Sequence, residues 1–117
     1  MNIKVKVGCD IVDINRFKNI IENEKKALLG ALFSPYELSS TDSIASLAGI
    51  FAAKEAVVKA LELQPGNWHL IEIVKHDNGK PVIKLHDLFN NNIISHDVSI
   101  SHDGDYVFAT TCFIIGE

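Results

Sequence analysis

Asp10, Glu55, Lys54, Lys59 and His102 are the side chains of this sequence whose types and settings could do chemistry. A carboxylate near a strand end and a carboxylate on a helix can together hold Mg²⁺. That ion takes one or two protein carboxylates and completes its octahedron with water and substrate phosphates. Mn²⁺ accepts the same oxygen donors. Lysines beside such a site supply positive charge, and phosphoryl-type transfer consists largely of positioning and neutralising phosphate charge. Spacing alone does not bring Asp10 to Glu55.

The elements that must position these residues can be read from periodicity. Ile3, Val5 and Val7 alternate with Asn2, Lys4 and Lys6, and the run continues through Gly8-Cys9-Asp10-Ile11-Val12. Period two predicts a strand with one buried face. Cys9 and Ile11 fall on the apolar face and Asp10 on the other, toward water or a site. Gly8 permits a close backbone approach. An ordinary exposed strand-end carboxylate fits Asp10 as well. Asp13 can cap a helix that carries Ile14, Phe17, Ile20 and Ile21 at helical spacing. Ser34-Pro35-Tyr36-Glu37 is a capping-box pattern with proline at the first helical position. Asp42 or Ser43 can cap the next helix, rich in alanine, which runs to about Leu63 and stops at Pro65-Gly66. On it Ala48, Phe51, Ala52, Glu55, Lys59 and Glu62 share a face, and Ile50, Val57 and Leu61 lie away from it. The small alanines let another group approach. A solvated Glu–Lys pair four residues apart accounts for Glu55 and Lys59 equally.

Leu70 to Val74 and Pro81 to Leu85 read as a hairpin about Asp77-Asn78-Gly79-Lys80. Asp87 to Asn92 is either a short helix or a loop. Val98 to His102 and Tyr106 to Ile115 read as strands joined at Asp103-Gly104-Asp105. His102 points where Val98 and Ile100 point, as a ligand-directed side chain or as a core histidine with satisfied partners. The order is strand, helices, then mostly strands. That is an α+β fold, one long helix on a largely antiparallel sheet.

At 117 residues, with 47% apolar and 22% charged residues, the chain has globular proportions and the length of one domain, residues 1–117. A net charge of −4 argues against nucleic acid as a partner, because such binding needs many cations to displace counterions. Cys9 and Cys112 read as small buried hydrophobes. The N-terminus lacks a signal-peptide pattern and no apolar run spans a membrane, so a cytoplasmic protein is expected.

Gly8-Cys9-Asp10-Ile11-Val12 with Arg16, then Leu47-Ala48-Gly49-Ile50-Phe51-Ala52-Ala53-Lys54-Glu55-Ala56-Val57-Val58-Lys59-Ala60, resembles the holo-acyl-carrier-protein synthases, the short-chain 4′-phosphopantetheinyl transferases. Asn78-Gly79-Lys80-Pro81 and Val98-Ser99-Ile100-Ser101-His102 are similar to that family's later motifs. The resemblance implies transfer of the phosphopantetheine arm of coenzyme A to a serine of an apo acyl carrier protein. It implies Mg²⁺ on Asp10 and Glu55, with one of them taking the serine proton. Lys59 would neutralise the leaving phosphate, Lys54 and His102 would hold the nucleotide end, and Arg16 would meet the acidic carrier. It also implies a homotrimer with sites between subunits. Two departures stand out: Ile50 where the family usually has arginine, and Glu62-Leu63-Gln64-Pro65-Gly66-Asn67-Trp68 in place of a glycine-rich loop. They leave room for a paralogue dedicated to one carrier, or for a non-catalytic binding module.

Overall fold

A computed structural model describes residues 2–66, 68–86 and 92–117, without the side chains of 24–26. The ambiguous segment 87–92 falls almost wholly outside the described residues. The chain runs β1 (Ile3–Asp13), α1 (Ile14–Leu32), α2 (Pro35–Ser40), α3 (Ile44–Leu61), β2 (Ile71–Lys75), β3 (Pro81–Leu85), β4 (Ile93–Asp103) and β5 (Tyr106–Gly116). A 3₁₀ turn, Trp68–Leu70, leads into β2. One antiparallel sheet has the order β1-β5-β4, and β2 and β3 form a separate hairpin.

The caps form as the side-chain chemistry demands. Asp13 accepts the amide of Arg16 at the start of α1, and Ser43 accepts that of Ser46 at the start of α3. Helix α2 has a complete capping box between Ser34 and Glu37. Helix α3 ends two residues short of the expected Leu63. Its C-cap, Glu62, sits in the left-handed region at φ 56°, a place that favours glycine because a Cβ crowds the following carbonyl. Glu62 pairs there with Lys6.

Helix α3 lies across one face of the three-stranded sheet, and small residues set the spacing. A Cβ added to Gly8 would stand 2.0 Å from the Ala56 carbonyl oxygen and 2.8 Å from the Ala60 nitrogen. The strand therefore touches helix backbone, which only glycine permits. Nearby, the Thr111 hydroxyl donates to the Ala56 carbonyl oxygen at 3.3 Å. Ala52, Ala53, Ala56, Val57, Val107, Ala109 and Phe113 are sealed in this layer.

Two expectations are overturned here. The covered face of β1 carries Lys6, Gly8, Asp10 and Val12, so Ile3, Val5, Val7 and Ile11 point outward and are exposed. Cys9 and Cys112 share that outer face and are exposed, not buried. The alternation was right and its sense inverted, because the helix seeks the face with glycine rather than the face with valine.

Lys54 is buried within the fold. The resemblance sets it at the nucleotide end of coenzyme A, but its side chain is 0% exposed. Its ammonium donates to Glu37 Oε1 at 2.6 Å and to the Leu32 carbonyl oxygen at 2.8 Å. Glu37 is equally buried and also accepts the amides of Ser34 and Ile73. This ion pair ties α2 and β2 to α3. Burial pushes the Lys54 ammonium below the ordinary lysine value, against the upward pull of the Glu37 hydrogen bond and charge.

Candidate active site

Strand register decides which of the remaining residues meet. On the covered face, Asp10 pairs with Ala109 and Ala109 with Ile100, and Val12 pairs with Val107 and Val107 with His102. Asp10 and His102 thus share a face but stand on opposite edge strands, about 10 Å apart across two strand spacings and a further two residues apart along the strands. The two edges define two separate clefts.

The cleft at the β1 edge is lined by Asp10, Asp13, Arg16, Phe17, Ile20, Phe51 and Glu55. It joins strand end, α1 and α3, so two carboxylates from distant parts of the chain face one space. Lys59 Nζ donates to Asp10 Oδ1 at 3.0 Å. That hydrogen bond, reinforced by the charges of Asp10 and Glu55, holds the Lys59 ammonium above the ordinary lysine value, so it stays charged at neutral pH. Lys59 therefore pairs across elements with Asp10 instead of along the helix with Glu55. The Glu55 Oε1 accepts the indole N–H of Trp68, a partner the sequence reading did not assign. Arg16 is exposed at the mouth.

The donor set suits Mg²⁺. Among the described residues no three His, Cys, Asp or Glu side chains form a ready cage for a metal. Two carboxylates on a shared cleft are what Mg²⁺ takes when the other positions belong to water and phosphate.

The second cleft, at the β4 edge, is lined by Ser46, Ile50, Ile73, Lys75, Pro81, Ile100 and His102, among others. It is a largely apolar slot with one cation and one imidazole. Ile50 is 5% exposed and forms part of its wall. Lys75, one of the three lysines of the β2–β3 hairpin, reaches this slot. The clefts measure about 280 and 230 Å³. Each is smaller than the ~300–1,000 Å³ that encloses a drug-sized ligand.

A long alanine-lined helix on an antiparallel sheet, with an acidic pair and a lysine at one edge, defines an α+β protein with a mixed-charge cleft. Residues 6–111 match the 4′-phosphopantetheinyl transferase superfamily, and the chain belongs to that family. A curated relative from Geobacter sulfurreducens, a holo-[acyl-carrier-protein] synthase, is 41% identical over 114 residues, covering 87% of this chain and 90% of its own. The crystal structure of the Helicobacter pylori holo-[acyl-carrier-protein] synthase in complex with coenzyme A superposes with a TM-score of 0.83. It is 36% identical and covers 92% of this chain and 98% of its own. An acyl-carrier-protein synthase–coenzyme A complex from Chronobacterium ammoniagenes gives a TM-score of 0.82 at 27% identity, covering 97% of this chain and 99% of its own.

Proposed function

We propose that this chain, read as one transferase domain over residues 1–117, transfers the 4′-phosphopantetheine arm of coenzyme A to a serine of an apo acyl carrier protein. Adenosine 3′,5′-bisphosphate is released. The observation that carries the reading is the meeting of Asp10, Glu55 and Lys59 at one edge of α3, within a chain that belongs to the transferase family.

In the proposed reaction the serine oxygen forms a bond to the β-phosphorus of coenzyme A, and the bond from that phosphorus to the bridging pyrophosphate oxygen breaks. Asp10 and Glu55 are the residues that would hold Mg²⁺, and the ion would supply charge that offsets that of the pyrophosphate. Glu55 or Asp10 takes the serine proton through a water. Lys59, held charged, neutralises the phosphate that leaves and can donate its own proton to it. Arg16, exposed on α1 beside the half-exposed Ile20, meets the acidic surface of the carrier. The reaction is assigned to the cytoplasm. No helix among the described residues is long and apolar enough to cross a membrane.

The test is direct. Purified protein, coenzyme A, Mg²⁺ and apo carrier are mixed, and the carrier is weighed by intact-mass spectrometry. The carrier is expected to gain one phosphopantetheine, and only with Mg²⁺ present. An unchanged carrier, with a known transferase succeeding in parallel, counts against the reading.

We also propose a homotrimer with sites shared between subunits. Two observations support it. The outer face of β1 presents Ile3, Val5, Val7 and Ile11 at 56–69% exposure, a contiguous apolar strip of the kind that marks an interface. And each chain carries two separate clefts on opposite sheet edges, which a ring can bring together as one site per interface. Val7→Asp on the strip is expected to convert the assembly to monomers in analytical ultracentrifugation and to reduce transfer more than tenfold. A monomeric wild type with full activity overturns the shared site.

A further inference from the structure

We infer that Trp68 is the positioning residue of Glu55, setting the carboxylate so that it can bind a divalent cation. This rests on the metal site proposed above. Trp68 opens the 3₁₀ turn after α3, and its indole N–H donates to Glu55 Oε1. The ring is itself fixed. It lies 6.2 Å from the Phe51 ring, and Phe51 stacks on Phe17 at 5.6 Å. Phe51 and Phe17 line the same cleft as Asp10 and Glu55. Phe17 of α1, Phe51 of α3 and Trp68 thus form a continuous row of three aromatic rings beside the carboxylate.

The chemistry of the donor matters. A glutamate on a helix has three rotatable bonds and wanders unless something holds it. A lysine can hold it, but brings a charge that competes with a metal ion. Asp10 already carries such a competitor in Lys59. An indole N–H is neutral and donates only, so it fixes one oxygen while leaving the carboxylate charge and the lone pairs of the other oxygen available. Carboxylates that bind metals are commonly oriented by an outer hydrogen bond, and its loss typically weakens metal affinity ~10–100-fold. The loop Glu62–Trp68, which departs from the usual glycine-rich pattern, thereby gains a role: it delivers this donor.

The chain has one tryptophan, which isolates the test. Mn²⁺ affinity is measured by electron paramagnetic resonance of the free ion, with coenzyme A present, for wild type and Trp68→Phe. A second sample carries β-(3-benzothienyl)alanine at position 68, in which sulfur replaces the N–H with the ring shape kept. The dissociation constant is expected to rise about tenfold or more in both. The single indole N–H resonance of the wild type is expected to shift saturably on adding Mg²⁺. Wild type that binds Mn²⁺ with the same affinity as the benzothienyl protein overturns the inference and leaves the metal site standing. Wild type that binds no Mn²⁺ overturns both. Because the benzothienyl ring preserves packing, a Trp68→Phe protein that fails to fold still leaves a decisive comparison.

Discussion

Glu55→Ala is expected to slow phosphopantetheine transfer by about 10³-fold, the scale on which loss of one preorganised electrostatic contact acts. Alanine is the best helix former, so α3 keeps its stability, and circular dichroism is expected to be unchanged. Asp10→Ala is expected to act similarly. It removes a carboxylate from the cleft and releases Lys59 from its 3.0 Å hydrogen bond, so the position of the ammonium is lost as well. The two carboxylates work on one cation, and the double variant is expected to lie close to the worse single one rather than at the product of the two effects. The measurement is the initial rate of carrier mass gain at saturating Mg²⁺ and coenzyme A. Both variants within a few-fold of wild type would remove Asp10 and Glu55 from the site.

Local pattern singled these residues out as candidates, and the family resemblance gave them roles. Period-two alternation placed β1, and capping chemistry placed the starts of α1, α2 and α3. Gly8 was legible as a close-approach glycine, and it is one: it rests on the backbone of Ala56 and Ala60. What lay outside local pattern was which face the helix would choose. Ile3, Val5 and Val7 look like a core stripe, yet a helix can approach a strand more closely over glycine, and the apolar stripe is left for another surface. The site was mixed in the same way. Asp10, Glu55 and Lys59 share an edge, whereas His102 stands with Ile50 at the other, because register across three strands is a property of pairing and not of one segment. Trp68 escaped notice since nothing in its neighbours' sequence points thirteen residues back to Glu55. Glu37 was read only as half of a capping box. Its two long-range partners, Lys54 and the amide of Ile73, are visible only in three dimensions.

Lys54→Met is expected to cost about 3–5 kcal/mol of folding stability, the range found when one partner of a buried ion pair is removed. Methionine keeps much of the aliphatic volume, so the change isolates the charge. The Glu37 carboxylate is then left at 0% exposure with only the Ser34 and Ile73 amides as donors. A domain holds ~5–15 kcal/mol in all, so the loss is a large share of the total. Lys54→Met with Glu37→Gln is expected to recover part of it, because the uncompensated charge goes while an acceptor for the Ile73 amide stays. Urea unfolding of the wild type and the two variants measures this. The lysine also gives a pH signature. Burial lowers its native value below that of the unfolded chain, so the unfolded state binds more protons between the two values. Wild-type stability therefore gains from this group as pH rises through that window, and Lys54→Met loses the gain. The same variant separates a structural lysine from one that grips the nucleotide. A structural lysine leaves the KM for coenzyme A of the folded fraction unchanged while stability collapses. A nucleotide-binding lysine raises that KM with stability intact, and that pattern would return Lys54 to the active site.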